Sequence, residues 1–380
     1  MMAIRVGLFL ALAGHAMAVT VPITFKVIPK TVPAGDTIYI VGSDPGLGSW
    51  DTTAVPLQRQ KDGSWTKTVP LPVGSVVEYK ITRGGWDREA VGENHQIPGN
   101  ASLKVTKAET VAIKVASWSD EFLKGQQQIT GKVVYHKGLA GAGILPRDVV
   151  VWLPPSYATE KDRRYPVLYM HDGQNVFDPG TSFAGADWQV DEECTRLIAD
   201  GTLQEIIVVA AYNTPDRREE YSQTTKGAAY MKWVVGTLKP FIDTTYRTYT
   251  TYDRTGVMGS SMGGLISFLM AWEYPEVFGS AACLSPAFSY VTNLNAQIAA
   301  HDGAPKNVRL YIDNGGVGLD AKLQPGCESM VAALKKQGFK EGEDLEVFFD
   351  PKADHNERAW AKRVYRPLLF MFRRESTAAP

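Results

Sequence analysis

A serine set among glycines is the residue with the clearest chemical use in this sequence. Residues 259–264 read Gly-Ser-Ser-Met-Gly-Gly and contain the pattern G-x-S-x-G, with Ser261 at its centre. A short apolar run at 255–258 precedes the pattern, and an apolar stretch with the length of a helix, 265–272, follows it. A strand, a tight turn and a helix in this order form a nucleophile elbow, which exposes the serine hydroxyl above the sheet. The sequence therefore predicts a nucleophilic Ser261, with the Met262 N–H at the helix start facing a developing oxyanion.

A serine hydroxyl needs a base to take its proton, and the base needs an acid to orient it. In doubly wound folds with such an elbow, the acid and then the histidine follow the serine along the chain. Only His301 and His355 lie downstream of Ser261. His301 has the surroundings of a surface turn, whereas His355 follows a strand-like run at 345–349 and precedes an amphipathic helix. We therefore predict His355 as the base.

The acid that would orient the histidine has several candidates. A strand-like run ends at Asp313, and the glycine-rich loop after it leads to Asp320. Asp320 lies beyond the glycines and is free to turn toward His355, so it is the preferred acid. Asp313, Asp350 and Asp354 remain alternatives, and each could instead form a turn or cap a helix.

A second oxyanion donor is expected in the loop after an earlier strand. The run at 166–170 leads directly into His171, Asp172, Gly173 and Gln174. A glycine there would let the backbone approach the substrate, which leaves the Gln174 N–H to donate. His171 and Asp172 precede the serine in the chain, so we expect them to brace the loop rather than to catalyse.

The elements that would position these residues occupy the second half of the chain. Apolar runs at 148–153, 166–170 and 205–211 are typical of buried strands. Helical stretches alternate with the strands, around 186–199, 226–242, 263–274, 325–337 and 356–366. Helices alternating with continuously apolar strands predict an α/β fold with a doubly wound, mostly parallel sheet.

The first half of the chain has a different pattern. Alternating runs separated by glycine-rich turns lie at 21–27, 37–41 and 76–81. This pattern predicts a small all-β sandwich over residues 19–118. Residues 119–130 are polar without a clear period and predict a linker, so the second domain would span 131–380.

The first 18 residues have the features of a secretory signal peptide. Arg5 precedes an apolar stretch at 6–13, and Ala-Met-Ala at 16–18 provides a cleavage point after Ala18. The stretch is shorter than the ~18 or more apolar residues that span a bilayer. We expect an exported protein, periplasmic or extracellular, without membrane insertion.

Composition and charge are those of an ordinary globular protein. Apolar residues make up 44%, charged residues 21% and aromatic residues 10%. A formal net charge of −1 gives no electrostatic reason to expect nucleic acid or an anionic membrane as a partner. Cys194, Cys283 and Cys327 lack C-x-x-C spacing, so no zinc or redox motif is predicted. One disulfide with a free thiol, or three buried thiols, both remain open.

The second half resembles the esterase D-like (putative esterase) family of α/β-hydrolases, which includes feruloyl esterases, enterochelin-type siderophore esterases and the antigen 85 acyltransferases. The matching segments are 165–175, 238–243, 246–248, the serine elbow, 285–286, 355–357 and Trp360. The family's serine falls on Ser261, its histidine on His355, and its acid-bearing loop on 314–320. In antigen 85-like members the residue after the Asp-Gly pair donates to the oxyanion, and this residue corresponds to Gln174. The resemblance implies an ester hydrolase that needs no metal or organic cofactor.

The first half resembles the starch-binding module of the CBM20/CBM48 type. The matching segments are 40–43, 47–50, Trp65, 71–72 and 78–80. In that family two tryptophans stack on sugar rings and a lysine assists, and these residues correspond to Trp50, Trp86 and Lys80. The chain has Trp-Asp-Arg-Glu at 86–89, where the family often has Trp-Glu-Ser-Asp. Trp65, on a strand, is expected in the core.

These expectations combine into an exported serine carboxyl-ester hydrolase that removes acyl groups, such as feruloyl or acetyl, from carbohydrate. The expected partner is a carbohydrate or a carbohydrate-linked ester. Two alternatives stay open. One is an esterase for siderophores or other small esters, and the other is a non-catalytic carbohydrate-binding protein.

Overall fold

The structure is a computed structural model that describes residues 19–92, 100–122, 129–183, 185–303 and 306–374. The predicted signal peptide, residues 1–18, lies outside the described residues, as do residues 123–128 of the predicted linker. The chain divides into two compact units, Met1–Phe122 and Leu123–Pro380.

The described part of the first unit is built from strands, one short α-helix and the 3₁₀ helices Pro45–Trp50 and Trp86–Arg88. The strands are β1 (Thr20–Pro29), β2 (Tyr39–Gly42), β3 (Gln58–Arg59), β4 (Trp65–Pro72), β5 (Val76–Thr82), β6 (Ala90–Val91), β7 (Ala101–Lys104), β8 (Glu109–Val115) and β9 (Ser117–Trp118), and the helix is α1 (Ser119–Phe122). One sheet has the order β3-β4-β1-β8 and another the order β2-β5-β7, while β6 pairs with β9. The predicted all-β domain is confirmed.

Apolar side chains at every second position of the strands form the core of this unit. Ile23, Phe25 and Val27, every second residue of β1, are fully buried. They belong to one apolar cluster with Trp65 and Trp118. Because successive side chains of a strand point to opposite faces, period-two patterning buries one face of the strand. Trp65 lies in the core, as the sequence predicted.

The second unit is a sheet combined with helices. Its strands are β10 (Lys132–Gly141), β11 (Ile144–Leu153), β12 (Val167–Met170), β13 (Ile207–Ala211), β14 (Thr255–Ser260), β15 (Ser280–Leu284), β16 (Arg309–Gly315) and β17 (Leu345–Asp350). Its helices are α2 (Val190–Ala199), α3 (Arg217–Glu220), α4 (Thr225–Trp233), α5 (Lys239–Thr245), α6 (Met262–Glu273), α7 (Leu294–Ala299), α8 (Leu319–Lys336), α9 (Glu357–Ala361) and α10 (Tyr365–Phe372). The strand order is β10-β11-β13-β12-β14-β15-β16-β17. The strands from β13 to β17 in this order pair in parallel, whereas β10 and β11 are antiparallel.

The central strands are buried on both faces, which confirms the predicted α/β fold. Every residue of β12, β13, β14 and β15 is buried. Val257 belongs to one apolar cluster and its neighbour Met258 to another, so the two clusters lie on opposite faces of the sheet. Helices on both faces explain why these strands are continuously apolar rather than alternating.

Several details differ from the sequence prediction. The helix predicted at 325–337 begins earlier, at Leu319, and continues through Pro325. The helix predicted at 226–242 is interrupted by a π-helical turn at Val234–Leu238. The three cysteines are buried and unpaired, which settles the question that the sequence left open. Among the helices in the described residues, none is long and apolar enough to cross a membrane.

Candidate active site

Ser261 lies at the turn between β14 and α6. Its φ of 56° and ψ of −121° are rare for a residue with a side chain. Contacts on both sides hold this conformation. The Ser261 N–H donates to the Leu284 carbonyl at 2.9 Å, and its carbonyl accepts from Ala287 N at 3.0 Å and Leu265 N at 3.1 Å. The end of β15 and the first turn of α6 thus hold the serine backbone in this strained conformation.

Glycine at position 259 allows β14 and α6 to meet at the elbow. A Cβ on Gly259 would lie 2.6 Å from the carbonyl carbon of Gly263, a distance that real Cβ contacts do not reach. No larger residue fits at position 259 without moving the backbone. This close approach is the physical reason for the first glycine of G-x-S-x-G.

His355 contacts the preferred acid directly. It lies in the loop between β17 and α9, and its Nδ1 is 2.5 Å from Asp320 Oδ1. Asp320 is fully buried in the first turn of α8, while the His355 side chain remains 12% exposed. A buried carboxylate on Nδ1 selects the imidazole tautomer that leaves Nε2 available to accept a proton.

No hydrogen bond joins Ser261 Oγ to His355, although both residues are among those described. The two residues are connected through neighbouring strand ends. The Ser261 N–H is hydrogen-bonded to Leu284 at the end of β15. Ser285, the residue after β15, is hydrogen-bonded to Asp320 through its hydroxyl.

Two further hydrogen bonds hold the Asp320 carboxylate. Asp320 Oδ2 accepts from Ser285 Oγ at 2.8 Å and from Gly315 N at 2.9 Å. Ser285 Oγ in turn accepts from Trp360 Nε1 at 3.0 Å and Arg363 Nη2 at 2.9 Å. Sequence reasoning assigned no role to Ser285 or Arg363. The available signal was the Ser-Pro pair at the end of the strand that follows the elbow.

The carboxylates of the three alternative acids accept hydrogen bonds from groups other than the imidazole. Asp313 Oδ2 and Oδ1 accept from Arg363 at 3.0 and 3.1 Å, and burial raises the pKa of this carboxyl although Arg363 opposes the rise. Asp350 Oδ1 accepts the backbone N–H two residues further on at 3.0 Å. Asp354 Oδ1 accepts the backbone N–H of His355 at 2.8 Å. Of the four predicted candidates, the imidazole is hydrogen-bonded to Asp320 alone.

His301 lies against another part of the unit. Its ring packs edge-on against Trp272, with the centroids 5.2 Å apart. Trp272 is near the C-terminal end of α6, about 15 Å along the helix from the elbow at a rise of 1.5 Å per residue. The structure does not bring His301 to Ser261.

The two predicted oxyanion donors are the backbone N–H groups of Met262 and Gln174. Met262 is the first residue of α6, and Gln174 lies in the 3₁₀ turn Gly173–Asn175. Neither N–H donates to a backbone carbonyl of the described residues. The Gln174 side chain accepts from Asn213 N at 3.1 Å, which holds the turn in place. A Cβ on Gly173 would lie 2.5 Å from the Ala210 carbonyl oxygen of β13, so glycine is also required here by packing on the sheet.

His171 and Asp172 brace this turn, as expected. Asp172 accepts from Arg217 Nε at 2.6 Å and Nη2 at 2.8 Å, and from Asn213 Nδ2 at 2.6 Å. Burial opposes ionisation of Asp172, but the charge and hydrogen bonds of Arg217 outweigh it and lower the pKa of the carboxyl. His171 Nδ1 lies 2.8 Å from Tyr230 OH, and burial lowers the pKa of His171 to about 3.

In the first unit, the structure brings two of the three predicted sugar-binding residues together. The rings of Trp50 and Trp86 lie 6.3 Å apart between centroids and are tilted by 41°. Both tryptophans are half-buried residues. Lys80 instead forms an ion pair with the buried carboxylate of Glu89, at 2.6 Å.

Comparison with protein families gives a match for each unit. The model of the family described as "Putative esterase" matches residues 145–369. The model described as "Starch binding domain" matches residues 20–114. Both resemblances identified in the sequence are confirmed.

Known proteins similar to the chain include two curated relatives and a solved esterase. The chain is 22% identical to the uncharacterised protein YbbA of Bacillus subtilis strain 168 over 237 residues, or 60% of the chain and 92% of YbbA. It is 31% identical over 301 residues to an endo-1,4-beta-xylanase/feruloyl esterase of Xylanibacter ruminicola, covering 78% of the chain but 38% of that protein. The enterobactin esterase FES of Shigella flexneri, solved in the presence of enterobactin, superposes with a TM-score of 0.55 at 15% identity, over 88% of this chain and 87% of that one. At that identity the likeness concerns the fold.

Proposed function

We propose that Ser261 is the nucleophile of this chain, which belongs to the putative esterase family and is a carboxylic ester hydrolase. We propose further that its substrates are esters in which the acyl group is carried on carbohydrate. Family membership makes the chain an enzyme, so the non-catalytic binding protein that the sequence left open is set aside.

In the proposed acylation step, Ser261 Oγ attacks the ester carbonyl while His355 Nε2 takes the hydroxyl proton. The carbonyl oxygen becomes an oxyanion and accepts hydrogen bonds from the N–H groups of Met262 and Gln174. Asp320 stabilises the imidazolium on its other nitrogen. His355 then returns the proton to the leaving alcohol oxygen as the C–O bond breaks, and an acyl-enzyme remains.

Deacylation repeats these steps with water. His355 takes a proton from the water as its oxygen attacks the acyl carbonyl, and the same two amides bind the oxyanion. The proton then passes to Ser261 Oγ as the acyl bond breaks, which releases the carboxylic acid. Every group in this sequence of steps comes from the chain, the substrate or water.

The observation that most supports this mechanism is the contact between His355 and Asp320 beside a serine elbow. A hydrogen-bonded carboxylate behind an imidazole is how serine hydrolases on unrelated folds keep the tautomer correct. The strained φ of Ser261 supports the same reading, because backbone strain concentrates at functional residues.

Two observations favour carbohydrate as the carrier of the acyl group. The first unit matches a starch-binding domain, and its Trp50 and Trp86 present two indoles of the kind that stack on the apolar faces of sugar rings. The xylanase/feruloyl esterase relative combines a polysaccharide-degrading activity with an esterase in its name. Export would suit a polysaccharide target, and the signal-like residues 1–18 support export.

A siderophore or another small ester is the second candidate substrate, since the superposition on the enterobactin esterase extends over 88% of this chain. A panel of substrates separates the two. The purified protein is assayed with a feruloylated oligosaccharide, an acetylated xylan and enterobactin, and Ser261→Ala serves as the blank. We expect the highest kcat/KM on one of the carbohydrate esters. A higher kcat/KM on enterobactin would overturn the carbohydrate assignment.

A further inference from the structure

Three carboxyl groups converge where α2 begins, outside the proposed triad. Asp187, in the loop before α2, and Asp191 and Glu192, in its first turn, each offer one oxygen, and these oxygens all lie within 4.8 Å of one another. Asp187 is 7% exposed, Asp191 is 0% exposed and Glu192 is half-buried. Carboxylates so close together in a buried place repel one another, and a positive charge between them would relieve that repulsion.

Two oxygens of this carboxyl cluster have no hydrogen-bond donor. Asp191 Oδ1 and Glu192 Oε2 are buried and accept no bond from the described residues. The second oxygen of each of these two residues is occupied, since Thr130 N donates to Asp191 Oδ2 at 2.6 Å and Thr130 Oγ1 donates to Glu192 Oε1 at 3.1 Å. Asp187 Oδ2 accepts from Gln189 N at 3.0 Å. A buried carboxylate oxygen without a donor is destabilising unless a ligand reaches it.

Basic side chains do not neutralise the cluster. Within the described part of the chain, no lysine, arginine or histidine forms an ion pair with Asp187, Asp191 or Glu192. Arg196, the basic residue of α2, pairs instead with Glu193 and Asp200 on the exposed side of the helix. No basic side chain among the described residues therefore offsets the repulsion between these carboxyls.

We propose that Asp187, Asp191 and Glu192 bind a divalent cation, and that Ca²⁺ is the ion that fits them. The ligands are all oxygens, which favours hard cations such as Ca²⁺ over Zn²⁺ or Cu²⁺. Ca²⁺ accepts carboxylates in monodentate or bidentate fashion and completes its shell with water or carbonyl oxygens. Mg²⁺ requires near-ideal octahedral geometry and retains its own water, so it fits this close triplet less well.

Bound Ca²⁺ would connect the start of α2 to the surroundings of the proposed base. Thr130 donates to both helix carboxyls, so the ion also fixes the segment before β10. Trp188, the residue after Asp187, packs on Trp360 with centroids 5.4 Å apart, and Trp360 packs edge-on against His355 at 5.0 Å. The cation site is therefore a structural site whose effect extends to the histidine through two aromatic rings.

Thermal unfolding and Tb³⁺ luminescence test the site on the full chain. The protein is stripped with EDTA, desalted and titrated with CaCl₂, with MgCl₂ titrated in parallel. Because an ion that binds only the folded state stabilises it, Tm should rise by about 5–10 °C when Ca²⁺ reaches 100 times its Kd, and less with Mg²⁺. Tb³⁺ should show emission sensitised by tryptophan, with Trp188 adjacent to a ligand, and Ca²⁺ should displace it.

Asp191→Asn is the decisive variant. It keeps an acceptor for the Thr130 N–H but removes one charge, so both the Ca²⁺-induced rise in Tm and the Tb³⁺ emission should disappear. Without Ca²⁺, its Tm should equal or exceed that of the stripped wild type, because repulsion is relieved. Asp187→Asn repeats the test should Asp191→Asn fail to fold. Glu193→Gln, next to Glu192 on the same helix, is the matched control and should keep the full response.

Two results would overturn the site. One is a wild-type Tm that millimolar Ca²⁺ leaves unchanged, together with no sensitised Tb³⁺ emission, in which case the carboxyls share protons instead of a cation. The other is a Glu193→Gln variant that loses its response as fully as Asp191→Asn, which would show that ions bind diffusely along the helix.

Discussion

His355 Nδ1 lies 2.5 Å from Oδ1 of the fully buried Asp320. The same carboxylate accepts from the Ser285 hydroxyl through its other oxygen, at 2.8 Å. Ser261, Ser285, Asp320 and His355 follow four adjacent strands, from β14 to β17, at the carboxyl edge of the parallel sheet. Ligands of open α/β sheets bind at this edge, because the loops that follow parallel strands converge there.

Removing the proposed nucleophile should abolish ester hydrolysis. Ser261→Ala should lower kcat on a chromogenic short-acyl ester by about 10⁴- to 10⁶-fold, as the loss of a triad member does in other serine hydrolases. His355→Ala should cost nearly as much and the double variant little more, because the groups act as a unit. His301→Ala, whose ring packs on Trp272, is the control and should keep wild-type kcat. A folded Ser261→Ala protein with most of its activity would refute the assignment.

Among the acids, Asp320→Asn should lose the most activity. An amide in this position favours the wrong imidazole tautomer, and kcat should fall by roughly 10⁴-fold. Asp350→Asn and Asp354→Asn should stay within a few-fold of the wild type, because those carboxylates bind backbone N–H groups. Steady-state kinetics on one ester compares all of them. A fully active Asp320→Asn enzyme beside an inactive Asp354→Asn enzyme would move the acid to the histidine loop.

Ser285 is predicted to position the acid. Ser285→Ala removes one donor from Asp320 Oδ2 and leaves the Gly315 N–H in place. A hydrogen bond to a charged group is worth about 1.5–3 kcal/mol, so kcat should fall roughly 10- to 100-fold while KM stays constant. Kinetics measured well below Tm separate this effect from lost stability. Unchanged kcat, or a rise in KM alone, would show that Ser285 does not act through the acid.

Buried His171 should make stability depend on pH. Burial lowers its pKa to about 3, whereas the unfolded value is about 6.5. Above pH ~6.5 neither state binds a proton at this site, and below it only the unfolded state does, so stability falls as the pH falls toward 3. The contribution approaches about 1.4 kcal/mol per pH unit between roughly pH 6 and pH 4.

Urea unfolding at several pH values measures this contribution. His171→Gln retains a polar partner for Tyr230 OH but cannot titrate, so its free energy of unfolding should decline less steeply below pH ~6.5 than that of the wild type. Parallel curves for the two proteins would mean that His171 takes up a proton in the folded state.

The tryptophan pair should control binding to starch without affecting the chemistry. Trp50→Ala and Trp86→Ala each remove one stacking surface, worth about 1–3 kcal/mol by analogy with aromatic stacking on flat ligands. Retention on a starch column should therefore drop for both, while kcat on a soluble chromogenic ester stays unchanged. Tyr249→Ala, an exposed aromatic of the second unit, should be retained as the wild type is. A wild-type protein that no polysaccharide retains would remove the main support for carbohydrate esters as substrates.

Local signals in the sequence were sufficient for both folds and for the elbow. Period-two patterning over 21–27 predicted β1 and its alternating burial, and continuous apolar runs predicted the central strands of the parallel sheet. The elbow was predictable because its cause is local. Gly259 contacts a backbone only four residues away, so the spacing of the glycines within the motif already carries the constraint.

The helix carrying the acid was predicted with the wrong start. The sequence suggested 325–337, but α8 begins at Leu319, so Asp320 is held in a first helical turn rather than on a loose loop. A proline is most common in the first turn of a helix, and Pro325 therefore favours a later start than the true one. Asp320 also makes a tertiary contact, the hydrogen bond from the Ser285 hydroxyl, which the local sequence does not contain.

Only the tertiary structure distinguished the acids and revealed the carboxyl cluster. Asp313 lies in β16 and Asp320 lies beyond the glycine loop that follows it, so the sequence favoured Asp320 but left Asp313 as an alternative. Arg363, 50 residues after Asp313, forms an ion pair with the Asp313 carboxylate. Asp320 is the carboxylate that is hydrogen-bonded to His355. Residue type and spacing determine which side chains can do chemistry. Packing determines which of them meet, because burial and electrostatic pairing depend on residues that are distant in the chain.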